Sequence, residues 1–129
     1  MKSLVINAEV DSPYYPEVYF NADTGICDIA GESYMEEAYK FYLPLINWIK
    51  EFVLNEKKPL TINFKLIYFN TSSSRLILDI LDILKKFKDD GHKIIVNWYY
   101  DPDDPDVKDE VEDFEIESGM DIELQEMDK

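Results

Sequence analysis

The sequence predicts an α/β fold, a mixed β-sheet with helices packed on it, and three observations carry that prediction. Between Leu60 and Gly91 the hydrophobic period changes. Leu60, Ile62, Phe64, Leu66 and Tyr68 alternate with Thr61, Asn63 and Lys65, as in a strand; Leu76, Ile77, Ile80, Leu81, Leu84 and Phe87 then recur at helical spacing. Strand and helix patterns go on alternating after that, which implies right-handed crossovers and a largely parallel sheet. Ahead of them, two short strand patterns flank Ala22-Asp23-Thr24-Gly25, a hairpin signature that adds antiparallel pairing and makes the sheet mixed.

In chain order, Leu4 to Ala8 reads as a short strand and Asp11-Ser12-Pro13-Tyr14-Tyr15-Pro16 as a turn-rich loop. Val18–Asn21 and Ile26–Ala30 are the hairpin strands, with Gly25 at the position that needs positive φ. Ser33 and Glu36 have the spacing of a capping box, so a helix is expected from Tyr34 to Leu54, kinked or broken at Pro44, whose ring crowds the carbonyl of Lys40. Its apolar stripe is Ala38, Phe41, Tyr42, Leu45, Trp48, Ile49 and Phe52. After the central strand the second helix ends at Gly91, just past lysines that suit the negative end of the helix dipole. Lys93–Tyr100 is a strand with so little polar alternation that both faces should be covered. Asp101 to Asp106 breaks it, a helix covers Asp106–Glu117, Gly119 ends that helix, and Asp121–Gln125 makes a short edge strand.

The 129 residues suit a single domain over 1–129, and 46% hydrophobic content gives it a core. The net charge of −15 argues against nucleic acid or an anionic membrane as partner. Most of that charge lies in the quarter 101–129, where 14 acids and two lysines give −12, leaving −3 for the rest. No apolar run is long enough to span a membrane, and Asn7 and Glu9 interrupt the N-terminal stretch before it could act as a signal peptide. Cys27, the only cysteine, reads as a small buried residue. These features describe a cytoplasmic protein.

Asn70-Thr71-Ser72-Ser73-Ser74 joins strand to helix, and any of the five could cap the helix. Four consecutive hydroxyls exceed what a cap requires. Either they are redundant, or one is presented to a modifying enzyme, whose phosphate would face free N–H groups and the positive end of the dipole. Arg75, the only arginine, is a solvated side chain, a docking contact or a partner for that phosphate. Catalysis finds little support. The four glycines form no phosphate loop, and the one histidine, His92, follows a helix-ending glycine. Asp101–Asp106 lacks the glycine and the bidentate glutamate of a calcium loop, so neither metal nor cofactor is expected. The aromatic residues read mostly as core.

The stretch Leu66-Ile67-Tyr68-Phe69-Asn70-Thr71-Ser72-Ser73 resembles the L-x-Y-x-N-T-S-S motif of the SiaC family of bacterial regulatory phosphoproteins. Gly31-Glu32-Ser33-Tyr34, Trp48 and Trp98-Tyr99-Tyr100-Asp101 resemble further family positions. The resemblance implies a fold similar to STAS domains and a switch protein with no catalysis of its own. It further implies that a Ser/Thr protein kinase phosphorylates Thr71, that a PP2C-type phosphatase reverses this, and that the unphosphorylated form activates a diguanylate cyclase, favouring cyclic di-GMP production and biofilm. Asn70, Thr71, Ser72, Ser73 and Arg75 would then contact partners. The same fold resemblance admits a second expectation, an anti-sigma-factor antagonist in a partner-switching pathway.

Overall fold

The structure, a computed structural model, describes residues 1–7 and 14–127. Six strands, β1 (Leu4–Ile6), β2 (Glu17–Phe20), β3 (Ile26–Ser33), β4 (Leu60–Phe69), β5 (Ile94–Tyr100) and β6 (Glu123–Glu126), form one sheet in the order β1-β2-β3-β4-β5-β6. The first two pairings are antiparallel and the last three parallel. Three helices alternate with the parallel strands: α1 (Ala38–Glu56), α2 (Thr71–Asp89) and α3 (Pro105–Ser118). The α/β class and the mixed sheet are as the sequence predicts. Ala8 and Asp11-Ser12-Pro13 lie outside the described residues.

Each parallel crossover steps one strand in the same direction, so right-handed connections place every helix on one face. α2 packs between α1 and α3. The covered face carries Cys27, Ile29, Ile62, Phe64, Leu66, Val96 and Trp98, all buried. The other face is open. There Ile26, Thr61 and Ile95 form one cross-strand row, and Asp28, Asn63 and Asn97 form the next, the latter joined by amide hydrogen bonds of 2.9 and 3.0 Å. β5 therefore alternates, with Ile95 42% exposed, and the expectation of a strand covered on both faces is corrected.

Three local expectations change for physical reasons. Ser33 does not cap α1: it is the last residue of β3, and α1 starts at Ala38 after Glu37 with no side-chain cap. The extended backbone needed to pair Ser33 with Phe69 outcompetes the local capping box. Pro44 does not break α1, which runs from Ala38 to Glu56 with the proline inside it. Near Gly31 the β3–β4 register shifts at a bulge, so Tyr68 pairs with Glu32 and is turned out, 49% exposed, instead of continuing the inner row. Gly25 does take positive φ, 76°, and a side chain there would run into the Pro59 carbonyl, so the hairpin locks against the turn that leads into β4.

Candidate functional site

β3, β4 and β5 run parallel, so their C-terminal ends share one edge of the sheet, the usual functional edge of such folds. At that edge Asn70 caps α2. Its backbone is extended (φ −88°, ψ 177°), and its Oδ1 accepts the Ser73 N–H at 2.9 Å. Its Nδ2 donates to the Met35 carbonyl at 3.0 Å, and its own N–H donates to the Ser33 carbonyl at 3.0 Å. One residue thus ties α2 to the end of β3 and to the segment leading into α1. Thr71 follows as the first helical residue and is exposed. With the Ser73 N–H taken by the cap, the N–H groups of Thr71 and Ser72 remain open at the positive end of the helix.

The other hydroxyls differ in role. Ser73 was expected to meet partners, and this is corrected: it is fully buried. Its Oγ donates to the Ser33 carbonyl at 3.0 Å and accepts from the Ser33 Oγ at 2.7 Å. The Ser33 proton being spent there, Tyr42 donates to the Ser33 Oγ across 2.7 Å. Burial pushes the Tyr42 hydroxyl up to about 12, against the opposing pull of its hydrogen bond with Ser33, so it stays a donor at physiological pH. This buried chain joins β3, α1 and α2, with 40 residues separating its two serines. Ser72, half-buried, donates to the Glu36 carbonyl at 3.1 Å, and Ser74 is half-buried on the wall of a groove, so Thr71 is the one fully exposed hydroxyl of the corner.

Two surfaces flank Thr71. On one side lies a ledge of tyrosines: the rings of Tyr14 and Tyr34 sit 5.8 Å apart and those of Tyr34 and Tyr68 5.3 Å apart, all three exposed. They are exceptions to the reading of the aromatic residues as mostly core, which holds for the majority. Only the register shift at Gly31 turns Tyr68 outward, and local periodicity carries no sign of it. On the other side, α2 and α3 enclose a groove of about 510 Å³. Phe69, Leu78 and Phe114 are its apolar lining, Thr71, Ser74 and Arg75 belong to one wall, and Glu110, Asp113 and Glu117 to the other. Behind Phe69 and Phe114 stands Trp98, its ring 5.7 and 5.9 Å from theirs. Its Nε1–H is buried and has no hydrogen-bond partner among the described residues. The Glu110 carboxyl is raised by partial burial and by the negative charges of Asp104, Asp106 and Asp113. Arg75 is well exposed and loosely paired with Asp79, Nε to Oδ1 3.8 Å.

His92 sits beyond the far end of α2, its ring edge-on to Phe87 at 5.6 Å. Phe87 lies sixteen residues after Thr71, about 24 Å along the helix at about 1.5 Å per residue, so His92 cannot act as a base there. Asp101–Asp104 folds as a turn, with the Asp103 N–H on the Asp101 carboxylate at 2.9 Å and the Asp104 N–H on the Asp101 carbonyl at 2.9 Å. Among the described residues no group of His, Cys, Asp and Glu is placed to hold a metal ion. Cys27 is fully buried, and burial holds its thiol far above the ordinary range. Among the described residues no helix is long and apolar enough to cross a membrane.

The fold is thus a one-sided α/β layer that carries a capped, exposed threonine corner between an aromatic ledge and an acid-rimmed groove. The chain belongs to the SiaC family: the profile of the SiaC family regulatory phosphoproteins matches residues 9–127. An uncharacterised protein of Pseudomonas aeruginosa strain UCBPP-PA14 is 28% identical over 110 residues, covering 85% of this chain and 87% of the relative. Crystalline apo-SiaC from Pseudomonas aeruginosa superposes with a TM-score of 0.87 at 27% identity, covering 97% of this chain and 99% of the other. A chain in the crystal structure of the diguanylate cyclase SiaD in complex with its activator SiaC, from the same organism, superposes with a TM-score of 0.88 at 27% identity, covering 96% and 99%.

Proposed function

We propose that this chain is a non-catalytic switch, phosphorylated reversibly on Thr71, whose unmodified form binds and controls a diguanylate cyclase. The observation that carries the reading is the placement of Thr71: an exposed hydroxyl on the first residue of a helix whose cap is already supplied by Asn70. A phosphate there adds about −1.5 to −2 charge, and the open N–H groups and dipole of α2 can receive it, so the fold tolerates the modification. Arg75 lies one turn on, at a spacing that brings side chains together, and exchanges its loose pairing with Asp79 for the phosphate. A partner packed on a neutral threonine would then have to cover a dianion and a displaced guanidinium. That costs several kcal/mol, and about 1.4 kcal/mol is already tenfold in affinity. A Ser/Thr protein kinase and a PP2C-type phosphatase supply the two directions of the switch. The complex of SiaD with its activator SiaC supports a cyclase as the effector.

The test is incubation of the purified chain with its cognate kinase and ATP, followed by intact-mass analysis, site mapping and pull-down with the cyclase. One phosphate on Thr71 and loss of the cyclase are expected. Phosphate on Ser72 or Ser74 with Thr71 unmodified refutes the site, and unchanged cyclase capture by the Thr71-phosphorylated chain refutes the switch. Recovery of a sigma-inhibiting kinase in place of the cyclase would support the anti-sigma-factor antagonist reading.

A further inference from the structure

We propose that the groove between α2 and α3 receives a basic amphipathic segment of the protein partner. Its apolar side rests on Phe69, Leu78 and Phe114, and its lysine or arginine side chains pair with Glu110, Asp113 and Glu117. The proposal rests on the reading that the partner covers the Thr71 corner, and it adds the chemistry by which that partner is recognised.

The shape of the groove and its charge lead to the same occupant. Glu110, Asp113 and Glu117 are spaced i, i+3, i+7 on α3, so they form one stripe along the groove above apolar rings. Among the described residues none of the three is in a salt bridge. The single cation on the opposite wall, Arg75, is turned to Asp79. α3 holds seven acids and one lysine, and no basic residue in its last turn offsets its negative end. Like charges gathered in a stripe raise the energy of the free protein, and a cationic partner relieves them; the Glu110 carboxyl is raised first by its partial burial and then by its acidic neighbours, Asp113 of the stripe among them. A purely apolar occupant would bury three carboxylates without partners, which is costly, and an anionic one would be repelled. A second copy of this chain, at net −15, is the wrong sign overall.

Phosphate on Thr71 fits the same picture. Drawn to the phosphate, the Arg75 guanidinium stands at the mouth of the groove, where a cation of the partner would otherwise sit. The switch then works by filling the groove with the chain's own ion pair.

The experiment measures binding of the purified cognate cyclase by calorimetry at low and high salt. It compares the full-length wild-type chain, the double variant Asp113→Asn/Glu117→Gln, and Thr71→Glu. Both altered acids of the double variant are exposed and remove charge without changing volume, and circular dichroism confirms folding. The expected result is that the double variant loses roughly tenfold in affinity at low salt and most of the salt dependence, whereas Thr71→Glu loses binding. If the double variant binds like wild type with the same salt dependence while Thr71→Glu loses the cyclase, the basic-segment proposal is overturned and the corner reading stands. If both variants bind like wild type, the corner reading itself fails and takes the proposal with it. Weakened binding by the double variant alone would keep the basic segment in the groove and remove the partner from the corner.

Discussion

Asn70 is the residue on which the geometry of the corner turns, and Asn70→Ala measures its contribution. The substitution removes the Oδ1 acceptor of the Ser73 N–H and the Nδ2 donor to the Met35 carbonyl. Loss of an N-cap costs about 1 kcal/mol, and loss of one part-buried hydrogen bond costs about 1 kcal/mol more. The sum, about 2 kcal/mol, is small against a typical domain stability of roughly 5–15 kcal/mol, so the fold survives. For a chain of this size it corresponds to a fall in Tm of roughly 8 °C. Asn70→Asp separates the two contributions: it keeps the acceptor and gains from the dipole but loses the donor to Met35, so its loss stays below about 1 kcal/mol. Urea unfolding followed by circular dichroism gives both values, and native-state hydrogen exchange at Ser73 reports the cap directly. An Asn70→Ala chain within about 0.5 kcal/mol of wild type would refute the view that this side chain fastens α2 to β3 and α1.

Other outcomes follow from the same geometry. Ser73→Val takes away the acceptor of the buried Ser33 hydroxyl and a donor to the Ser33 carbonyl and should destabilise by about 1–3 kcal/mol in urea, whereas Ser74→Val, at a half-buried site, should stay within about 0.5 kcal/mol. Arg75→Gln should restore part of the cyclase binding of the Thr71-phosphorylated chain and leave that of the unmodified chain within about twofold; no restoration in a pull-down would remove Arg75 from the switch. The folded Glu110 carboxyl binds its proton more tightly than the unfolded one, so between the two pKa values the native state holds more protons and stability falls as pH rises. Glu110→Gln should therefore raise the urea midpoint at neutral pH and flatten its pH dependence, and an unchanged midpoint would deny the strain in that stripe. Cys27 should resist a thiol reagent in the native chain and react on unfolding, because burial keeps it protonated.

The parts of the molecule set by short-range pattern were legible in the sequence. The change of period after Tyr68 located the junction of β4 and α2, and the polar corner located its cap, because both depend on neighbours within a few residues. The role of each hydroxyl was not legible. Ser72, Ser73 and Ser74 look alike in sequence, and only the docking of Ser33, 40 residues away, turns Ser73 inward. The capping box misled for a related reason: long-range pairing with β4 carried Ser33 into the sheet. The aromatic ledge depends on the register shift near Gly31, and the groove depends on α3 packing beside α2, so neither has a local signature. The acidity of the last quarter was plain from counting; that one stripe of it faces Thr71 was not.

The position of Trp98 gives the groove an optical readout. The chain has two tryptophans, and Trp48 lies elsewhere, stacked on Phe52 with its Nε1–H on the Lys2 carbonyl at 2.9 Å. Trp98 stands one ring behind the floor, against Phe69 and Phe114, and its indole N–H has no hydrogen-bond partner among the described residues. An indole in so dry a setting emits toward the blue, and any shift of those two rings, or a carbonyl brought within reach of its N–H, changes the emission. With Trp48 replaced by Phe, a single fluorophore would follow filling of the groove in real time, by a partner or by the chain's own arginine, with no label attached.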